Sequence, residues 1–205
     1  MATVARESKQ RNFARAVVAF LVGVCVLTVV MCSRSTGVAP MTQPATGDSS
    51  GGPSLRLEIL NRDLIRKDPG VSSGIPRCVL FDRGMTNGSA TLAAFDDGTT
   101  SLYFGKGGGY LGMGGHETVR RAAAAFREEA ARSIDKLKVT ADFDLPGPGF
   151  MAFFIVTDTE VVGSGPIPAP VLQSGRHPLS RLGKIGNDVI TEVRLVADKM
   201  KAGKK

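Results

Sequence analysis

The sequence predicts an α+β protein in which an N-terminal transmembrane helix and a linker precede an antiparallel sheet packed with two or three helices. Three observations lead to this prediction. Residues 16–33 form an apolar run without a charge. Residues 90–95 and 100–104 have strand composition and are joined by an Asp-Asp-Gly sequence typical of a tight hairpin. After His116 and after Pro178, apolar residues recur at helical spacing. Hairpin-joined strands and amphipathic helices together favour an antiparallel sheet covered by helices.

The apolar run reads AVVAFLVGVCVLTVVMCS, and as a helix it rises about 27 Å, close to the thickness of the hydrocarbon core of a bilayer. Residues 1–15 carry four basic side chains and one acidic one, so this tail is predicted to stay in the cytoplasm. The alternative is a cleaved signal peptide, which shares the basic start and the apolar centre. We favour an uncleaved anchor, because the run exceeds a typical signal core and no well-placed pair of small residues marks a cleavage site. The predicted location is the cytoplasmic membrane, single-pass, with the N-terminus inside and the domain extracytoplasmic.

The positive charge of the chain lies at its two ends. The formal net charge is +7, yet residues 55–198 carry equal numbers of basic and acidic side chains. A basic groove for nucleic acid is therefore not expected, and no nucleic-acid partner is predicted. Residues 34–54 are rich in Gly, Pro, Ser and Thr and are predicted to be a flexible linker. Residues 55–200 then form a single α+β domain, and residues 201–205 are interpreted as a basic, solvated tail.

The domain begins with a predicted helix, because apolar residues between residues 55 and 67 recur at helical spacing before Pro69-Gly70 ends the pattern. A strand start is the alternative, since the first apolar residues of this segment also alternate. Cys78 begins the next apolar run and is predicted to be buried in a strand, where its thiol is a small apolar group. Strand composition marks residues 78–82, 90–95, 100–104, 150–156 and 161–162.

Two longer helices complete the domain, and each has one apolar face. The helix that begins at His116 is predicted to bury Val119, Ala122, Ala123, Phe126, Ala130, Ile134 and Leu137. On its outer side, Glu117 and Arg121, and likewise Glu128 and Arg132, have the i,i+4 spacing of ion pairs. The last helix has Pro178 at its first position and is predicted to bury Leu182, Gly186, Val189, Val193, Val196 and Met200.

The glycine-rich loop at residues 105–116 is the first candidate site. Gly107, Gly109 and Gly112 match the GxGxxG pattern, and Gly108 adds a fourth candidate residue. Backbone amides of such a loop can approach an anion closely, next to the positive end of a helix. The pattern departs from a dinucleotide fingerprint, because further residues separate it from the helix. The alternative is a structural crossing whose glycines allow positive φ or tight packing, and we favour that interpretation.

His116 and His177 are the two histidines of the chain, and each lies next to a glycine-bearing turn before a predicted helix. With Glu117 or Asp188 they form the second candidate site. Zinc takes three or four ligands and neither histidine belongs to a known zinc spacing, so no metal is predicted. The favoured interpretation is a turn histidine that bonds to the backbone. The sequence also has neither a serine-hydrolase elbow nor a P-loop, so no catalytic residue and no cofactor is predicted.

Two resemblances bear on fold and function. The order helix, strands, hairpin, helix, strands, helix across residues 55–200 is similar to that of profilin-like and roadblock-type domains, small α+β modules that mostly mediate protein assembly. The segments SLYFGKGGGYLGMGGHETVRRAAAAF and GRHPLS, followed by a terminal helix, resemble a bacterial family of membrane-anchored proteins of unknown function. The second resemblance covers most of residues 78–197 and implies no activity, cofactor or site residue.

The function predicted from the sequence is a non-catalytic module that binds an unknown protein partner at the membrane. One alternative is a domain that binds a small ligand or an anion with residues 105–116. The other is an enzyme that uses His116 and His177, because active sites assemble from distant segments.

Overall fold

The computed structural model of this protein describes residues 51–62 and 76–203. The predicted transmembrane segment at residues 16–33, the basic tail before it and most of the predicted linker lie outside these ranges. None of the helices within the two described ranges has the length and hydropathy that a membrane crossing requires.

The described residues form four helices and eight strands, with 3-10 turns before and after the second helix. The helices are α1 (Gly51–Leu60), α2 (Glu117–Ala131), α3 (Ala169–Gln173) and α4 (Ser180–Ala202). The strands are β1 (Cys78–Met85), β2 (Gly88–Phe95), β3 (Thr100–Phe104), β4 (Gly109–Tyr110), β5 (Lys138–Val139), β6 (Phe150–Val156), β7 (Val161–Gly163) and β8 (Ile167–Pro168).

The strands form one sheet in the order β4-β3-β2-β1-β6-β7-β5, and β8 pairs with β6 beside this row. Each of these pairings is antiparallel, which confirms the predicted sheet type. The predicted Asp-Asp-Gly hairpin joins β2 to β3, where the Phe95 N–H donates to the Thr99 carbonyl oxygen at 2.8 Å. Gly98 has a φ of +89° there, a conformation that glycine adopts without strain.

One face of the sheet carries the main core under α2 and α4. Phe81 from β1 stacks on Phe153 from β6 with ring centroids 4.7 Å apart, and Phe126 of α2 packs beside them. Gly186 lets α4 approach this cluster, because a Cβ at that position would lie 2.8 Å from Cδ1 of Phe81. The predicted apolar stripes of both helices face this core, although Ala122, Ile134, Val196 and Met200 are only partly buried.

The other face carries a second core under α1, in which Ile59 and Leu60 pack with apolar residues of the central strands. This core also contains an ion pair. Arg56 Nε and Nη2 donate to Oδ2 of Asp82 at 2.9 and 2.7 Å, and both side chains are almost fully buried. Arg56 also donates to the Phe143 carbonyl oxygen at 2.7 Å, and Thr91 Oγ1 donates to Oδ1 of Asp82. Each nitrogen of the guanidinium and each oxygen of the carboxylate therefore has a partner within the chain.

The bounds of three helices differ from the predictions. α2 ends at Ala131, so Ile134 of its predicted apolar face lies in a 3-10 turn and Leu137 follows that turn. α1 begins at Gly51, inside the predicted linker, and ends at Leu60, because Arg62 takes the left-handed conformation with φ of +65°. α4 begins at Ser180, two residues after Pro178, which therefore lies outside the helix. At its other end α4 continues to Ala202, so Lys201 belongs to the helix and not to the predicted tail.

Candidate functional site

The glycine-rich loop forms a hairpin between β3 and β4. Gly107, Gly108 and Gly109 have φ values of +95°, +77° and +156°, and Gly112 follows with +66°. Residues other than glycine rarely adopt such φ values, which explains why glycines are concentrated here. Gly107 and Gly108 lie in the turn, Gly109 begins β4, and a 3-10 turn follows Gly112 before α2 begins. The pattern is therefore a strand-to-strand turn, and it does not open a helix as a phosphate-binding loop does.

Several amides of the loop donate to groups of the chain itself. The Gly105 N–H bonds to the Ser89 carbonyl oxygen at 2.8 Å, and the Gly112 N–H bonds to Ser101 Oγ at 3.3 Å. A Cβ on Gly109 would lie 2.3 Å from the carbonyl oxygen of Leu102, so close approach of the two strands also requires glycine. The amides of Gly105 and Gly112 therefore have partners within the chain, and Gly109 is required by the close approach of the strands.

The two candidate histidines lie at opposite ends of α2. His116 directly precedes this helix, whereas Glu129 near its end is 3.1 Å from Nε of Arg181, four residues after His177. The rise of α2 separates those ends by about 20 Å. His177 Nδ1 accepts the Leu179 N–H at 3.1 Å, which agrees with the predicted turn histidine. The described residues therefore do not bring the two imidazoles together, and among them no group of three or more His, Cys, Asp or Glu side chains can hold a metal ion.

Other groups with reactive chemistry are committed to the fold. Burial raises the pKa of the Cys78 thiol well above its usual range, so this cysteine, buried as predicted, is not a nucleophile. Arg77 donates from Nε to Asp158 at 2.7 Å and from Nη1 to Asp96 at 2.9 Å. These hydrogen bonds raise the pKa of Arg77, and the Arg77 guanidinium lowers the pKa of Asp158. Glu129, also buried, pairs with Arg181 across the two long helices.

A cleft between the sheet and the C-terminal half of α4 combines cations with an apolar surface. We call it the basic cleft, and it has a volume of about 380 Å³. It is lined by Arg83, Met85, Ala90, Leu102, Phe104, Tyr110, Ile190, Arg194, Asp198 and Lys201. Such a volume lies within the range of small-molecule pockets in proteins.

Tyr110 joins the glycine-rich loop to the wall of this cleft. Lys201 Nζ donates to the Tyr110 hydroxyl oxygen at 3.1 Å and lies 5.6 Å from the centre of its ring. The hydrogen bond that Lys201 donates to Tyr110 is the main cause of a raised pKa at Lys201, so this ammonium stays charged. The Phe104 ring meets the Tyr110 ring edge-on with centroids 6.0 Å apart. The glycines thus allow the tight turn that places Tyr110 opposite α4.

Arg83 and Arg194 supply the other cations of the cleft. Arg83 lies near the end of β1, and its Nη1 donates to Asn187 Oδ1 of α4 at 2.9 Å. Arg194 is exposed on α4, one turn before Asp198, the single carboxylate of the lining. The lining therefore has three cationic side chains and one anionic one.

Sequence reasoning missed this cleft, although part of its signal was present. Ile190, Arg194, Asp198 and Lys201 are spaced by three or four residues and so share one face of a helix. The predictions do not connect these residues, because Lys201 falls in the predicted tail and residue 83 lies beyond the predicted end of the first strand. No local pattern links these residues to Tyr110.

Comparison with models of known protein families, with curated proteins and with solved structures gave no significant match for this chain.

Proposed function

We propose that this chain is a single-pass protein of the cytoplasmic membrane, with its N-terminus inside, and that it presents a non-catalytic α+β domain on the outer side to a protein partner. The length of the uncharged run at residues 16–33 and the basic residues before it support the membrane part of the proposal. The pairing of buried ionisable groups within the domain supports a non-catalytic role, because catalytic groups must be free to meet a substrate.

The observation that carries the protein-binding part is a group of exposed apolar side chains at one end of the sheet. Leu145 and Phe150 are 41 % and 40 % exposed. The chain turns tightly between them, because the Phe150 N–H donates to the Gly147 carbonyl oxygen at 3.0 Å. The backbone of Pro146 and Gly147 lies directly against Gly84, near the end of β1. We call Leu145 and Phe150 the apolar end. Adjacent exposed apolar residues are typical of protein interaction sites.

Photo-crosslinking in cells tests the interaction. A photoreactive amino acid is placed at position 145 of the full chain, and a matched chain carries it at position 195, where Leu195 is 50 % exposed on α4. We expect a discrete adduct from position 145 that disappears when Phe150→Ser is added, and none from position 195. Equal adducts at both positions, or an adduct unaffected by Phe150→Ser, would contradict a specific interface at the apolar end.

Carbonate extraction and a C-terminal reporter test the membrane part. We expect the full chain to stay in the membrane pellet with residue 1 intact, and a periplasmic-type reporter at the C-terminus to be active. A chain shortened near residue 33 would support the signal-peptide alternative instead. A reporter active only in the cytoplasm would reverse the proposed orientation.

Binding of a small anion is the second candidate function, and the basic cleft favours it. The glycine-rich loop contributes the side chain of Tyr110 to this cleft, whereas the sequence had suggested that its backbone amides would bind the anion. The enzyme alternative with His116 and His177 lacks support, because these residues lie at opposite ends of α2.

A further inference from the structure

We infer that the basic cleft binds a soluble organic anion that has one carboxylate on a short apolar chain. This inference rests on the second candidate function and names its ligand class. It does not depend on the protein partner proposed for the apolar end.

The cations of the cleft are arranged to meet the carboxylate. Lys201 and Arg194 lie on one face of α4, and Arg83 faces them from the sheet. Lys201 uses one of its three N–H groups on Tyr110, and Arg83 uses one N–H on Asn187, so each has further donors for a ligand. The Tyr110 hydroxyl accepts from Lys201 and keeps its own proton, which it can donate to a carboxylate oxygen.

Asp198 limits the charge of the ligand. Its carboxylate lines the same cleft and contributes to the raised pKa of Lys201, so it lies near enough to attract that ammonium. It offsets one of the three positive charges of the lining, so a ligand with several negative charges is attracted less strongly than by the three cations alone. A single carboxylate needs fewer cations and can be held away from Asp198.

The interior of the cleft is suited to the apolar chain. Leu102 is 1 % exposed and Ala90 is 7 % exposed, so the cleft reaches down to the packed face of the sheet. Phe104 and Ile190, both partly buried, form its sides. Burial of a methylene against such a surface improves affinity by about fourfold when it is complete. An inorganic anion would leave this apolar surface unused.

Fluorine NMR can test this inference because the chain has only two tyrosines. Tyr110 lines the cleft, and Tyr103 is buried in the core on the opposite face of the sheet. The full chain is labelled with 3-fluorotyrosine, placed in nanodiscs of zwitterionic lipid, and titrated with butanoate, hexanoate, octanoate, hexanol and inorganic phosphate. We expect hexanoate to shift the Tyr110 resonance in a saturable way and to leave the Tyr103 resonance unchanged.

The ligand series and two variants then decide the outcome. Affinity is expected to rise from butanoate to octanoate, and hexanol and phosphate are expected to bind more weakly than hexanoate. Lys201→Met is expected to weaken hexanoate by about tenfold, the usual worth of a charge-assisted hydrogen bond. The control Lys199→Met changes a lysine of the same helical turn that is outside the cleft, and it should bind as the unmodified chain does.

Three outcomes would overturn the inference. If hexanoate leaves the Tyr110 resonance unmoved, the cleft does not bind this class of ligand. If phosphate binds as tightly as hexanoate, anion binding survives as a candidate function but the apolar chain plays no part. If Lys199→Met weakens binding as much as Lys201→Met, the effect comes from net charge and not from the cleft.

Discussion

The buried Arg56 and the cations of the basic cleft differ in how many negative partners the chain provides for them. In the second core, Arg56 is buried and its guanidinium is bonded to Asp82 and to the Phe143 carbonyl oxygen. In the basic cleft, Arg83, Arg194 and Lys201 surround one carboxylate and an apolar surface open to solvent. The chain supplies one carboxylate for one guanidinium in the first region and one carboxylate for three cations in the second. The residue type of a cation therefore does not show whether it is structural. The number of negative or polar partners that the chain provides for it does.

Burial explains why the first region is closed. A guanidinium removed from water loses its hydration and is stable in the interior only if nearby oxygens replace it. Asp82 lies in the middle of β1 and accepts a hydrogen bond from Thr91 of the neighbouring strand, so the sheet as well as Arg56 holds its carboxylate. The cations of the cleft keep contact with water and need no such arrangement.

Removal of Asp82 is expected to have the largest effect on stability. Asp82→Ala leaves the Arg56 guanidinium buried without its carboxylate and should cost about 3–5 kcal/mol in the free energy of unfolding. Urea unfolding of the full chain, followed by the fluorine resonance of labelled Tyr103, measures the change. The double variant Arg56→Met with Asp82→Ala should regain part of the loss, because no unpaired charge remains. A double variant as unstable as the sum of its parts would show that the pair is not coupled.

The glycine-rich loop sets the position of Tyr110 in the wall of the basic cleft. In Gly109→Ala the new methyl group meets the Leu102 carbonyl oxygen, so we expect a loss of about 1–3 kcal/mol and a shifted Tyr110 resonance. The matched variant Gly108→Ala has a φ of +77° but open space around the new methyl group, and should cost about 1 kcal/mol. Equal losses, with Tyr110 unmoved in both, would mean that the strand contact does not set the wall of the cleft.

The ion pairs of Arg77 are intermediate in burial between the Arg56–Asp82 pair and the basic cleft. Asp158 is largely buried, whereas Asp96 is 41 % exposed at its side chain. The hydrogen bond from Arg77 lowers the pKa of Asp158 in the folded chain. The folded state therefore binds this proton less readily than the unfolded state does. Its contribution to stability is present above the ordinary aspartate pKa of about 4 and is lost as the pH falls below it.

Unfolding measured between about pH 2 and pH 6 tests this linkage, since the window spans ordinary aspartate titration. Asp158→Asn should be less stable than the unmodified chain at the upper end and should converge with it at the lower end. Asp188→Asn, at an exposed carboxylate of α4, should leave the pH dependence unchanged. Curves for Asp158→Asn that stay parallel to those of the unmodified chain would contradict the pairing.

The smallest effect on stability is expected from Lys201→Met, even though this variant should lose ligand affinity. Lys201 is exposed, and its longer apolar stem can be replaced by methionine without loss of packing. We expect the urea midpoint to equal that of Lys199→Met within error. A clear loss of stability would place Lys201 with Arg56 among the structural cations and would weaken the case for an open site.

Much of the fold could be predicted because its signals are local. The apolar run that begins at Cys78, the Asp-Asp-Gly turn and the apolar stripes of α2 and α4 each depend on neighbouring residues, and each corresponds to an element of the structure. Boundaries were less predictable. Arg62 ends α1 through a left-handed conformation, and its guanidinium bonds to the Asp158 carbonyl oxygen, a partner 96 residues away.

The candidate sites were harder to predict, because they depend on contacts between residues that are far apart in the chain. The glycine pattern was visible, but the backbone carbonyl groups that explain it come from β2 and β3. The two histidines have similar local surroundings in sequence and lie at opposite ends of one helix. Similar sequence contexts therefore do not imply spatial proximity.

By itself, the sequence determined the order of the longer helices and strands, the charge balance of the domain and the hydrocarbon-length apolar run before it, because periodicity, composition and charge are properties of consecutive residues. Only the tertiary structure decided that Arg56 meets Asp82 and that Arg83, Tyr110 and Lys201 border one cleft. Those contacts join residues far apart in the chain, and they form because strand pairing and helix packing bury apolar surface over the whole domain.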